Sequence, residues 1–337
     1  GSSCTLRFPE FLILGSGHCA KNPILIFAMC LTNSKGYMET APATSTEVEK
    51  ADTVFEGSTG VKPARVRKIM YLVRHGEAVH NIEEKKAAAA AAVRAEADGH
   101  MRGSAQHIAI LEDARKSILE DTRLMNAELS AAGKAEALAA KAAIDDLTEF
   151  GEWYPRPTTI VTSPLERTLQ TTALLFPGHP GVHIREFLRE RQTGFPCDER
   201  HPACNIRTRP SFMYMSCGDL VRLDSGDESG WSCGAAMDTT TEPYDCSPNC
   251  TSYPRRVELE DKLKLRERTG ELAKYLYSIE DEAVCVVTHK GFLRELERGP
   301  LKRPDATEFR NCEVRVYEVE LTAEGEVFST FRCATGA

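Results

Sequence analysis

The chain has little tryptophan, two residues in 337, and no surplus of positive charge. A formal net charge of −8 and a pI near 5.7 argue against a general nucleic-acid binder, which is usually basic. That deficit is global, and it leaves room for a small cationic pocket. Long apolar runs are also missing. "FLIL" and "PILIFAMCL" are kept apart by Gly15, Ser16, Gly17, His18 and Lys21. Neither approaches the ~20 residues needed to span a bilayer. The 12 cysteines are scattered and form no dense framework, and a chain of this length needs no staples. What remains is 42% hydrophobic and 27% charged, an ordinary globular composition with ample material for a core. Neither a nucleic acid nor a membrane is expected as a partner, and the oligomeric state is left open.

The N-terminal fifth has a different character. The chain opens on Gly1 rather than methionine, which reads as truncation, processing or a tag. Before Glu39 the only acidic residue is Glu10. Residues 39–66, "ETAPATSTEVEKADTVFEGSTGVKPARV", are polar and rich in small and turn-forming residues. Residues 1–66 are therefore expected to be a poorly ordered tail or a targeting remnant. The expected location is the cytoplasm, or an organelle if this segment is a transit remnant.

From residue 67 the pattern is periodic. "KIMYLV" is a continuous apolar run, as in a strand buried on both faces. "EEKKAAAAAAVRAEADGH" has high helix propensity but little side chain to pack, so an exposed helical insertion is expected near 83–104. A helix over 130–147 has Ser130 as its N-cap. "TTIVT" is the next strand. In "SPLE", Ser163 reads as an N-cap, Pro164 as N1 and Glu166 as the third residue of a capping box. Residues 196–255 are an irregular insertion rich in Pro, Gly, Ser and Cys. It contains "CSPNC" (Cys246 to Cys250), read as free thiols in preference to a disulfide or half a zinc site. Residues 257–280 form an amphipathic helix, "AVCVVT" is a buried strand holding a reduced Cys285, and "EVRVYEVEL" alternates like a strand with one wet face. Residues 326–337 are expected to be a C-terminal tail. Strands alternating with helices predict an α/β fold, a doubly wound, three-layer arrangement around a mostly parallel sheet. Ligands in such sheets gather outside the carboxyl ends of the strands.

Three strands end in polar groups on that edge. They lead into Arg74-His75-Gly76, Ser163-Pro164-Leu165-Glu166-Arg167 and Thr288-His289-Lys290-Gly291, and "FLRERQTG" brings Glu190. Arginine forks match phosphate oxygens, and a helix N-terminus adds amides and a favourable dipole. A neutral imidazole beside a held phosphate is a nucleophile, and Arg74, Arg167 and His289 would keep His75 neutral. Glu190 is the expected acid for the leaving group, with Glu186 and Asp198 as rivals. No ligand set for magnesium or zinc is apparent, and no cofactor is expected.

"LVRHGEAVHN", "VTSPLERTLQT", "LRERQTG" and "THKGFLREL", in that order, resemble the four signatures of the histidine phosphatase superfamily, over about residues 67–322. The resemblance implies a phosphoglycerate mutase-like fold and metal-independent phosphoryl transfer. It implies His75 as the phosphorylated nucleophile, with Glu190 and His289 also catalytic. It implies Arg74, Arg167 and Asn81 as substrate contacts. The domain is expected over 67–325. Ala78 and His80 replace the Arg and Pro of the acid phosphatase branch, and His80 stands where glycolytic mutases usually carry Trp. The expected activity is a phosphomonoesterase acting on a small phosphorylated metabolite. The alternatives are a phosphoglycerate-type mutase and a non-enzymatic phospho-ligand binder. His80, His107, His179, His183 and His201 are expected to have no chemical role.

Overall fold

The computed structural model describes residues 64–150, 154–225 and 259–335. Nearly all of the expected N-terminal tail lies outside these residues. So do residues 226–255 of the expected insertion, with Cys233, Cys246 and Cys250.

Six strands make one sheet: β1 (Arg65–Arg74), β2 (Thr159–Thr162), β3 (Val182–Ile184), β4 (Ala283–Thr288), β5 (Val314–Thr322) and β6 (Val327–Thr335). Their order is β3-β2-β4-β1-β5-β6. The first four in that order run parallel, β5 pairs antiparallel with β1, and β6 pairs antiparallel with β5. The carboxyl ends of β2, β4 and β1 therefore lie side by side, with Thr162 paired to Val287 and Arg74 to Thr288.

Alternation along β1 divides the core. Tyr71 and Val73 face one layer, with α3 (Ala131–Phe150) and α4 (Glu166–Leu175) supplying Ala137, Ala140, Ile144, Leu169 and Leu175. Met70 and Leu72 face the other, where α7 (Lys262–Ser278) and α8 (Lys290–Arg298) supply Leu265, Leu272, Leu276, Phe292 and Leu296. Burial of both sheet faces explains the unbroken apolar run in β1. Cys285 is a free, fully buried thiol, and its pKa is pushed far up by burial alone. Cys197 and Cys217, two described cysteines of the insertion, are buried free thiols.

Four expectations need correction. Residues 326–337 are not simply a tail, because Val327–Thr335 form β6 against β5. The strand 313–321 does not have one wet face throughout. Glu318 and Glu320 meet Arg67 at one end, whereas Val314 and Val316 are fully buried at the other. The polyalanine helix α1 (Val79–Ala97) is not purely exposed. Ala88, Ala91 and Ala95 are buried at helical spacing, and small side chains there let α2 (Ala105–Leu119) pack close. Finally, α4 begins at Glu166, not at Ser163. The amide of Glu166 is capped by the Asn126 side chain from 40 residues away, at 2.8 Å, a contact that local sequence does not reveal. Ser130 behaves as expected, accepting from the amide of Gly133 at 3.0 Å at the start of α3.

Candidate active site

The site is assembled from three strand ends. β1 delivers Arg74 and His75, β2 leads to Ser163 and Arg167, and β4 leads to His289. The rings of His75 and His289 stand 5.1 Å apart, tilted by 59°. Both histidines and Arg167 are almost wholly buried.

The tautomer of His75 follows from its neighbour. Nδ1 lies 2.7 Å from the Gly76 carbonyl oxygen, which can only accept, so Nδ1 carries the proton and Nε2 keeps its lone pair. The pKa of His75 is well below the usual imidazole value. Burial is the largest cause, followed by the guanidiniums of Arg167 and then Arg74, and His80 adds a smaller push. His289 is lowered in the same way, by burial first, then by Arg167 and His75. Its Nε2 is 2.7 Å from the hydroxyl of Ser163.

Each arginine is held by part of its guanidinium. Arg74 donates through Nη1 to the Phe309 carbonyl at 2.9 Å. Arg167 donates through Nη1 to the Cys197 carbonyl at 2.7 Å and through Nη2 to Asp198 at 3.0 Å. The Nε atoms of Arg74 and Arg167, and Nδ1 of His80 and His289, are buried with no hydrogen-bond partner among the described residues. Buried polar atoms are almost always satisfied, so four unpaired nitrogens around one pocket set it apart from a packed core.

Of the three candidate acids, Glu190 alone is bonded by backbone amides and not by a guanidinium among the described residues, with Oε1 accepting from the amide of Arg191 at 2.9 Å. Its Oε2 accepts from the amide of Gly291 at 3.1 Å, and its charge acts on Arg74. Glu186 is engaged by Arg189 and Arg200, and Asp198 by Arg167 and Thr193. A Cβ on Gly291 would come within 2.2 Å of Glu190 Oε1, so glycine is what admits the carboxylate. Gly76 is explained by close packing too. A Cβ there would meet the Gly133 carbonyl at 2.4 Å.

Other expectations fare less simply. Asn81 sits in the first turn of α1, and both ends of its carboxamide are bonded inside the protein. Oδ1 accepts from the Ala78 amide at 3.2 Å and Nδ2 lies 2.9 Å from His80 Nε2. The start of α4 offers fewer free amides than expected, since those of Leu165 and Glu166 bond Ser163 Oγ and Asn126 Oδ1. Lys290 is half exposed and faces Glu308 at 3.7 Å. Asp198 and Arg200 do not pair with each other. Arg200 bridges Glu186 and Asp224, the latter on helix Gly218–Ser225. His80, expected to have no chemical role, is buried beside the pocket cations, one residue inside the helix that follows the His75 turn. A polar cavity of about 360 Å³, lined by Val79, Asn126, Glu166, His201 and Arg209 among others, contains none of the paired histidines and arginines.

No group of three or more metal-ligating side chains occurs among the described residues. No described helix is long and apolar enough to cross a membrane.

Fold and site together define an α/β sandwich with a buried cationic pocket at the carboxyl edge of its parallel strands. No family model matches the chain, and no curated protein does. Among solved structures, the chain is similar to a mycobacterial protein named hydrolase 1, at 17% identity, covering 81% of this chain and 100% of that one, with a TM-score of 0.42. It is similar to the phosphoserine phosphatase of Entamoeba histolytica solved with 3-phosphoglyceric acid, at 15% identity over 80% and 98% of the two chains, TM-score 0.38. It is also similar to the alpha-ribazole phosphatase of Shigella flexneri, at 17% identity over 78% and 94%, TM-score 0.38.

Proposed function

We propose that this chain is a metal-independent phosphomonoesterase of the histidine phosphatase superfamily, working through a phosphohistidine on a small phosphorylated metabolite. The observation that carries the reading is the state of His75. Its proton is tied to the Gly76 carbonyl, and its free lone pair lies in a pocket with two partly unsatisfied buried guanidiniums.

Arg74 and Arg167 bind the phosphoryl oxygens and neutralise their charge. Nε2 of His75 attacks phosphorus, the bond from phosphorus to the ester oxygen breaks, and Glu190 passes a proton to that oxygen. Water then attacks the phosphohistidine, Glu190 takes its proton, and His75 and inorganic phosphate are released. His289 contributes a ring nitrogen to the same pocket.

The test is phosphate release over sugar phosphates, phosphoglycerates, nucleotides and phosphopeptides, with a rapid acid-labile labelling assay. His75→Ala should lower turnover by about 10⁴-fold or more and remove the label. Neither adduct nor turnover in the wild-type protein would sink the reading. Isomerisation of 3-phosphoglycerate faster than phosphate release would replace it with a mutase.

A further inference from the structure

His80 is a buried imidazole whose tautomer is dictated by a short chain of bonds. The amide N–H of Ala78 can only donate, and it points at Asn81 Oδ1 at 3.2 Å. That fixes the orientation of the carboxamide, so Asn81 turns its NH₂ group to His80. Nδ2 can only donate, so His80 Nε2, 2.9 Å away, must accept. The proton of the neutral ring is therefore on Nδ1. Nδ1 is buried and has no partner among the described residues.

The ring sits in the field of the site. Its pKa is lowered to about 3, by burial first, then by Arg167 and Arg74, and it in turn acts on His75. His80 is thus neutral under any ordinary assay condition. An apolar side chain would fill the same space without leaving a desolvated donor uncompensated. The unpaired atoms that share this pocket, Nε of Arg74 and Arg167, are donors as well.

We infer that His80 is a substrate-binding residue whose Nδ1–H bonds a non-bridging oxygen of the bound phosphoryl group, with Asn81 positioning it by holding Nε2. This rests on the phosphate-site reading above and adds a third, uncharged donor to it. It also recasts Asn81, whose carboxamide acts through His80 and the start of α1. A neutral donor binds an anionic oxygen and lowers the basicity of His75 less than a third cation would.

The test uses the full chain and inorganic phosphate. By calorimetry, His80→Phe, which keeps a ring and loses the donor, should weaken phosphate binding by about 10- to 100-fold. His80→Asn, which keeps an N–H near the Nδ1 position, should stay within about threefold. Equal binding by wild type and His80→Phe overturns the inference. Equal losses in both variants also overturn it, because the donor would then not be what matters. A wild-type chain that binds no phosphate overturns the underlying site reading instead. If His80→Phe does not fold, the nitrogen-15 spectrum of wild-type His80 decides. A proton on Nδ1 whose resonance moves on adding phosphate supports the inference, and an Nε2–H tautomer overturns it.

Discussion

Two buried clusters of charge lie close together in this molecule and are bonded in opposite ways. Under α8 and β5, Arg315 is saturated. It reaches both oxygens of Glu297 at 2.9 and 2.8 Å, Glu313 at 2.7 Å and Thr307 at 3.2 Å, with Phe309 beneath its plane. Tyr317 donates to Glu297 at 2.5 Å and accepts from Arg303 at 2.7 Å. At the strand edge, Arg74, Arg167, His80 and His289 each keep a buried nitrogen unpaired. Phe309 touches both clusters, its carbonyl holding Arg74 and its ring backing Arg315. Burial alone therefore does not distinguish a structural cluster from a binding one. The gathering of four unmet nitrogens around one pocket does, since single buried polar atoms without a partner also occur elsewhere, at His107 Nε2 and the Tyr214 hydroxyl.

The sharpest way to break this contrast is to remove one partner from the saturated cluster. Glu297→Leu leaves Arg315 buried and uncompensated, and should cost about 3–5 kcal/mol in denaturant unfolding. The double change Glu297→Leu with Arg315→Met should recover most of that loss, since an apolar pair can replace a buried ion pair. In the folded fraction, kcat/KM for a phosphate ester should stay within about threefold of wild type, because the cluster touches no reacting group. Activity falling with stability unchanged would erase the distinction between the two regions.

The opposite experiment loads the edge without touching its donors. In Gly291→Ala the new Cβ forces the Glu190 carboxylate aside, and a flexible side chain gives way without disturbing the fold. A misplaced general acid should lower kcat/KM for alkyl phosphates by about 100-fold. The loss should be far smaller with p-nitrophenyl phosphate, whose leaving group departs without a proton. Equal losses on both substrates would show that Glu190 is not the acid.

The contrast also explains what could be read in the sequence. The edge was legible because three apolar runs each stop at a polar group, so Arg74, His75, Ser163, Arg167 and His289 come together as soon as the strands are taken as parallel. β6 was not legible. It is an edge strand with only Val327 fully buried, and its partner β5 gives it a role that its own pattern lacks. The start of α4 was misplaced because Asn126, from a distant loop, does the capping. His80 was hidden because a lone histidine is uninformative until the bonds from Ala78 and Asn81 fix which nitrogen is free. The saturated cluster was invisible for a similar reason, since Glu297 lies on α8 and its partners Arg315 and Tyr317 on β5.

A smaller effect follows from the same unpaired imidazoles and is read in acid. His80 has a folded pKa of about 3. In the unfolded chain it returns to about 6.5. As pH falls below 6.5 the unfolded chain therefore takes up a proton that the folded chain refuses, and stability drops until the folded pKa is passed. For His80 that amounts to about 2 kcal/mol between pH 7 and pH 5. His75 and His289 act in the same direction. The histidines of the edge thus make the fold acid-sensitive. Unfolding measured at pH 7 and pH 5 should show the drop. His80→Asn, which cannot titrate, should shrink it by about 2 kcal/mol. The part due to His179 and His201, also lowered but more exposed, should persist in every variant. A difference between pH 7 and pH 5 that is the same in His80→Asn as in the wild type would mean that His80 is protonated in the fold.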